Sequence, residues 1–336
     1  MTTIKSPVGA AHARILGVGG YRPSRVIPNS EIVDAIDSSD DWIRTRSGIE
    51  ERRWAEPEET VRFMSVEAAK QALAAAGVEP AQIDCVIVAT VSHMMQTPGV
   101  APMIAADLGC EQPAAFDISA ACAGFCTALS MASDFVRGGS AGHVLVIGVE
   151  RLSDITDVHD RGTAFIFADG AGAVVVGPSE TPGIGPVVWG SDGERADLII
   201  QKTDWLTFIG NEAVPGDERP WLTMQGNPVF RWASFAMAKI AQEALDRAGI
   251  TADELDCFVP HQANMRIIDA LAKAMKLPEH VKIARDIATM GNTSAASIPL
   301  ALERMKREGQ AKSGETALFI AFGAGLVYAA QVVVLP

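Results

Sequence analysis

The sequence predicts an α/β fold built from two related halves. Three observations carry that reading: short apolar runs rich in β-branched residues alternate with helical patterns, one helix–strand unit occurs twice, and a Pro/Gly-rich stretch separates the copies. Runs at 86–91, 114–118, 144–149, 172–176, 257–260, 316–321 and 329–335 have the length and branching of buried strands. Helical periodicity covers 61–76, 100–108, 121–136, 228–248, 265–275 and 295–306. Gly77, Gly109 and Gly249 stand where left-handed caps would end three of these helices. The repeat sets AAKQALAAAGVEPAQIDCVIVA at 68–89 against IAQEALDRAGITADELDCFVP at 240–260, each a helix, a glycine stop, an acidic turn, Asp-Cys and a strand. Downstream, FDISAACAGF at 116–125 is echoed by RDIATMGNTS at 285–294. The join falls near SETPGIGP at 179–186, which gives halves of 1–182 and 183–336. The stretch 190–226 has little periodicity and many Gly, Asp and Trp, and reads as an insertion over the functional site.

Bulk composition narrows the function. The chain has 336 residues, 48% hydrophobic and 21% charged, enough for one very large domain or two similar ones. A net charge of −13 argues against nucleic acid or an anionic membrane as main partner, because both select basic faces. An acidic partner would need a local basic patch. The first twenty residues lack the apolar core of a signal peptide, and no run approaches the roughly 18 apolar residues of a membrane span. The five cysteines (85, 110, 122, 126 and 257) form no CxxC pair and are odd in number, as expected of separate thiols in a reduced, cytoplasmic protein.

Four motifs carry chemistry. In DISAACAGFCTAL an apolar strand ends at Ile118, small residues make a tight turn, and a helix starts around Cys122. A thiol there faces the positive end of the helix dipole, which favours thiolate, although a small cysteine packed in a turn would look the same. Cys126, one turn later, reads as core. In DCFVPHQANMRIIDAL, His261 follows a strand at the mouth of the next helix, whose dipole disfavours imidazolium. A neutral ring can donate to a developing oxyanion, but a capping or core histidine fits equally, as does a capping role for Asn264. In MGNTSAASIPLALERM, Asn292 fits an N-cap and also occupies the second-half counterpart of the Cys122 turn. In a pseudo-symmetric duplicated fold such turns meet near the axis, so Cys122 and Asn292 are expected side by side. In AFGAGLVYAAQ, Gly323 and Gly325 around Ala324 would let backbone N–H groups approach a substrate oxygen, or simply form a tight turn. The small residues of ADGAGAVVV at 168–176 read as strand packing.

These residues resemble the thiolase-fold condensing enzymes, specifically 3-oxoacyl-[acyl-carrier-protein] synthase III. ARILGVGGYRP (13–23), DSSDDWIRTRSGI, DISAACAGF, DRGTAFIFADGAGA, PHQANMRII, GNTSAAS and AFGAG occur in family order. The resemblance implies a duplicated thiolase-like fold, layered αβαβα with two mixed five-stranded sheets, the first half carrying the cysteine and the second the histidine and asparagine. It implies decarboxylative condensation of an acyl-CoA primer with malonyl-carrier protein at the start of type II fatty-acid synthesis. A starter-unit ketosynthase of a type II polyketide pathway would share every motif. Cys122 then matches the acylated nucleophile, and His261 and Asn292 the pair that holds the malonyl thioester carbonyl. The backbone N–H groups of Cys122 and Ala324 match the oxyanion hole. Ala324 departs from the commoner triple glycine, as Ala168 does from a frequent Gly before Asp169. Trp42 and Arg161 match the residues that sandwich the adenine of CoA. Arg46, Gly226, Asn227, Phe230, Asn264 and Arg266 match other positions along its channel. Unaided, Trp42 reads as a core aromatic and the arginines as solvated surface. Gln262, Ala263, Asn264, Met265 and Arg266 match the carrier-protein contact. Arg266, Lys273 and Lys276 on one helical face, with Arg231, would supply a basic patch for an acidic acyl carrier protein. The resemblance also implies a homodimer in which the loop 92–100, with Thr97 where acetyl-preferring relatives carry a bulky aromatic, closes the partner's acyl pocket. Branched or longer primers are expected to fit. No cofactor or metal is implied, since acyl-CoA is a substrate.

Overall fold

A computed structural model describes residues 4–210 and 219–336. The first sheet contains β1 (His12–Tyr21), β2 (Cys85–Ala89), β3 (Ala114–Ile118), β4 (Val144–Arg151) and β5 (Asp169–Ser179), in the order β1-β5-β4-β2-β3. The second contains β6 (Val188–Ser191), β7 (Cys257–Pro260), β8 (Lys282–Ile283), β9 (Thr316–Gly323) and β10 (Val327–Val334), in the order β6-β10-β9-β7-β8. The orders are identical strand for strand. The pairings match as well, antiparallel across β1-β5-β4 and β6-β10-β9 and parallel across the rest. This is the duplicated thiolase-like architecture expected from the sequence.

Side-chain alternation builds the layers. Along β4, Val144 and Val146 face one cluster while Leu145 and Ile147 face another. The central cluster holds residues of both sheets together with α4 (Gly124–Gly138) and α7 (Ser297–Arg307), which therefore lie between the sheets. Helices α2 (Val61–Ala76) and α3 (Ala101–Leu108) cover the outer face of the first sheet. Helices α5 (Gly226–Ala248) and α6 (Met265–Ala274) cover that of the second. The result is αβαβα. Strands buried on both faces need apolar residues at every position, which is why they read as continuous runs.

Gly77, Gly109 and Gly249 end α2, α3 and α5 in left-handed conformation, as the sequence predicts. Elements additional to those expected include the short strands β6 and β8, together with β1 and the helix Asp40–Ser47. β1 is absent from the predicted strands because HARILGVGGY looks like a glycine loop; those glycines instead let the strand lie against α2, whose backbone a Cβ at Gly17 or Gly19 would strike. Helix α1 (Asp40–Ser47), capped by Ser39 and ended by Gly48, is short and polar enough to escape periodicity. The stretch 190–226 forms a two-stranded pair, Ile199–Gln201 with Leu222–Met224, beside the main cavity; its residues 211–218 lie outside the described ones.

Candidate active site

Two corresponding turns meet between the sheets. After β3 the chain makes a 3-10 turn, Ala121–Ala123, before α4; ahead of α7 it makes another, Ser294–Ala296. Each opens on a left-handed non-glycine residue, Ala121 (φ 45°) and Ser294 (φ 48°). Such conformations cost about 1–3 kcal/mol each and persist only where the surroundings enforce them. The register corrects the expected echo: Cys122 corresponds to Ala295, and Asn292 sits two residues before its turn. The turns nonetheless pack together, so Cys122, His261 and Asn292 line one cavity of about 640 Å³ with Phe322, Gly323 and Ala324.

Each polar group there is oriented by a neighbour. The N–H of Asn292 donates to Ile166 O (2.8 Å), and its carbonyl accepts from Ala168 N (3.0 Å). Its side-chain Oδ1 accepts from Ser294 N at 2.8 Å, which leaves the Nδ2 hydrogens for the cavity. His261 follows β7 directly, and its N–H donates to Ile320 O (2.7 Å). Nδ1 lies 2.7 Å from Ser297 Oγ, which also accepts from Gln262 N at 3.3 Å. When the Ser297 hydroxyl donates to Nδ1, the ring hydrogen is on Nε2 and faces the cavity. The Phe322 ring packs edge-on against the imidazole at 5.4 Å. Gly323 gives the thiol its space: a Cβ there would stand 2.8 Å from Cys122 N and 2.9 Å from its Sγ.

Two electrostatic expectations are corrected. Burial pushes the Cys122 thiol up to about 12; hydrogen bonding to Ser294 lowers it and the nearby Glu150 raises it further. Desolvation thus opposes the thiolate that a helix start favours. His261 is neutral as expected, but for a different reason. It is 2% exposed, and burial alone lowers it to about 3; α6 begins only at Met265, with Asn264 as its cap.

The positions expected to bind CoA lie toward the open end of the same cavity: Trp42, Arg46, Arg161, Gly226, Asn227, Phe230, Asn264 and Arg266 all line it. The Arg161 guanidinium rests on the Trp42 ring (5.0 Å to centroid), and Arg266 on Phe230 (5.1 Å). Asn264 Nδ2 donates to Arg46 O at 3.0 Å, tying α6 to α1. The expected carrier contact divides. Arg266, Lys273 and Arg231 are exposed on the packed pair α5 and α6, whereas Gln262 is 1% exposed. Its amide donates to Pro260 O (2.7 Å) and Ala284 O (3.3 Å) and accepts from Ile287 N (3.1 Å), so Gln262 braces the His261 loop from within and offers no surface. Ala263 and Met265 are half-buried, and Lys276 lies past the end of α6 at φ 53°, off the helical face assigned to it. Thr97 is exposed and lines no part of its own chain's cavity. No group of three or more His, Cys, Asp or Glu among the described residues is arranged to hold a metal, and no described helix is long and apolar enough to cross a membrane.

The sequence reading missed Ser297, Phe322 and Glu150. Ser297 is the last residue of the GNTSAAS motif; nothing in its local pattern distinguishes a histidine partner from a helix start.

Comparisons with known proteins agree with this geometry. Residues 116–193 match the family model described as 3-Oxoacyl-[acyl-carrier-protein (ACP)] synthase III, and residues 245–335 match its C-terminal model. The chain is 62% identical to Beta-ketoacyl-[acyl-carrier-protein] synthase III 1 of Streptomyces coelicolor, with 100% of both chains covered. It is 53% identical to the Mycobacterial beta-ketoacyl-[acyl-carrier-protein] synthase III of Mycobacterium marinum, over 100% of this chain and 99% of that one. Among solved structures it is similar to the priming beta-ketosynthase of the R1128 polyketide biosynthetic pathway, with TM-score 0.96, 48% identity, and 100% and 99% of the two chains covered.

Proposed function

The chain belongs to the 3-oxoacyl-[acyl-carrier-protein] synthase III family, and from that premise we propose which residues perform its reaction. It is an acyltransferase of the initiating condensation in fatty-acid synthesis: an acyl-CoA primer and malonyl-carrier protein give 3-oxoacyl-carrier protein, CoA and carbon dioxide. Cys122 takes the acyl group. The backbone N–H groups of Cys122 and Ala324 stabilise the oxyanion formed as its sulfur attacks the thioester and again as the acyl group leaves. His261 Nε2–H and Asn292 Nδ2–H hold the malonyl thioester carbonyl. As carbon dioxide departs, negative charge moves onto that oxygen, and the enolate carbon attacks the acyl-Cys122 carbonyl. The observation that carries this reading is the pair of fixed side-chain N–H donors sharing one cavity with a thiol. A ring held neutral suits the role, since it donates without first releasing a proton.

CoA enters as a substrate along the channel from Trp42 to Arg266. For its adenine to lie between Trp42 and Arg161, the guanidinium must swing off the ring. Its ionic restraint is weak, a 4.0 Å contact to the exposed Asp37. Arg266, Lys273 and Arg231 receive the acidic carrier protein, a local basic patch on an acidic body. Two copies associate through the loop 92–100, whose Met94 and Met95 are 48% and 52% exposed beside the 38% exposed Val91.

Thr97 of each protomer closes the other's acyl pocket. A threonine in place of a ring leaves room for substrate methylenes, each worth about 0.8 kcal/mol on burial. Four-carbon and branched acyl-CoA primers are therefore used at least as well as acetyl-CoA, and Thr97→Phe moves preference back to acetyl with little effect on malonyl use. The experiment compares kcat/KM for acetyl-, isobutyryl- and longer primers on both proteins, with the product released from malonyl-carrier protein as readout. A strong acetyl preference unchanged by Thr97→Phe would assign pocket depth to another wall, with the flexible Met94 and Met95 next in line. Similarity to the R1128 priming enzyme favours a second reading, starter-unit synthesis for a polyketide pathway. The same panel run with fatty-acid and polyketide carrier proteins separates the two by which carrier is elongated.

A further inference from the structure

Glu150 takes no part in the chemistry above and does not line the cavity, yet it is wholly buried near the end of β4, which packs against the Ser294 turn. Its two oxygens serve different parts of the chain. Oε2 accepts from Ser92 Oγ (2.6 Å), Val91 N (3.1 Å) and Thr90 Oγ1 (3.3 Å), all in the segment that follows β2. Oε1 accepts from Ser294 Oγ (3.2 Å), at the head of the turn before α7. The adjacent Arg151 does not neutralise it: its guanidinium pairs with Asp154 at 3.3 Å, and only its backbone N–H turns inward, to Ser92 Oγ (2.7 Å). One carboxylate thus brackets two segments that are about two hundred residues apart.

Ser294 is also the residue that orients Asn292. Its N–H donates to Asn292 Oδ1 (2.8 Å), which leaves Nδ2 for the cavity. That bond depends on the left-handed backbone of Ser294 (φ 48°), a conformation serine rarely adopts. Its side chain therefore needs a fixed partner, and Glu150 Oε1 supplies one. Without it the turn is free to relax, Asn292 Oδ1 loses its donor, and the amide is free to rotate by half a turn. An oxygen would then meet the malonyl carbonyl where an N–H stood, acceptor against acceptor. We propose that Glu150 is a positioning residue for decarboxylation: pinned by Thr90, Val91 and Ser92, it holds the Ser294 turn and, through it, the N–H side of Asn292 toward the malonyl carbonyl.

This inference rests on Asn292 as a donor to that carbonyl. The test follows acyl loading from acyl-CoA and carbon dioxide release from malonyl-carrier protein in parallel, for Ser294→Ala, Glu150→Ala and Glu150→Gln, each with and without Asn292→Ala. Ser294→Ala and Glu150→Ala should each lower kcat for carbon dioxide release about 10-fold, with KM and the loading rate unchanged. That is a fraction of the roughly 10²–10³-fold expected from losing the donor itself. A serine hydroxyl accepts as well as donates, so Glu150→Gln keeps a hydrogen bond to Ser294, its amide donating, and should recover most of the loss. In the Asn292→Ala background neither Ser294→Ala nor Glu150→Ala should slow the reaction further, because the group they position is gone. Additive losses there, or an equal fall in loading and decarboxylation, would show packing rather than positioning and overturn the proposal. Carbon dioxide release at the wild-type rate in folded Ser294→Ala would overturn it as well. If Glu150→Ala does not fold, the cycle of Ser294→Ala with Asn292→Ala decides alone. Asn292→Ala that itself decarboxylates at the wild-type rate would remove the assignment beneath the proposal, and the proposal with it.

Discussion

Cys122→Ser will not load from acyl-CoA, whereas Cys126→Ser will load as wild type does. The thiols are four residues apart on one turn of chain, and only their surroundings separate them. Cys126 is 0% exposed inside α4, and burial raises its thiol beyond even that of Cys122. It is not on the wall of the main cavity, while Cys122 stands there against Gly323. A serine oxygen in this apolar position is a far weaker nucleophile than sulfur, and the loss expected is on the order of 10³-fold or more. Intact mass after incubation with acyl-CoA reads the outcome: one acyl group on wild type and Cys126→Ser, none on Cys122→Ser. Acylation that survives without Cys122 would sink the mechanism.

His261→Ala and Asn292→Ala should separate the half-reactions. Each removes one of two donors to the enolate, a loss of roughly 2.7–4 kcal/mol, or about 10²–10³ in rate. Loading of Cys122 should persist in both, because its oxyanion donors are backbone groups that neither substitution touches. Carbon dioxide release from malonyl-carrier protein, measured beside acyl loading, makes the distinction. Condensation at the wild-type rate by either variant would show that its side chain does not hold the malonyl carbonyl. Since burial keeps the imidazole neutral down to about pH 3, His261 should add no acid limb to decarboxylation near neutrality.

The strands and helices that could be read in advance share a property: their signal is local. β3 and β7 coincide with their predicted spans, and so does α2, because continuous branched runs and glycine caps report conformation directly. β2 ends at Ala89, two residues before its predicted end at 91. Val91 is apolar enough to continue a strand, but the chain there turns its amide and the flanking hydroxyls onto Glu150. That carboxylate is 58 or more residues away in sequence, so no window could include it.

The sequence by itself determined that the chain has two related halves and which residue types stand at the two turns, since both depend on patterns within about twenty positions. The αβαβα layer order and the place of His261 beside Cys122 and Asn292 followed from the family resemblance. That burial rather than a helix mouth keeps His261 neutral, and that Gln262 faces inward, were decided only by the tertiary structure. The reason is desolvation. A helix dipole acts over one turn and is visible locally, but loss of water depends on every element packed around a group. At Cys122 it opposes the local expectation; at His261 it reaches the expected neutral state by a different route. At Glu150, near the end of β4, it raises the carboxyl against four hydrogen bonds that lower it.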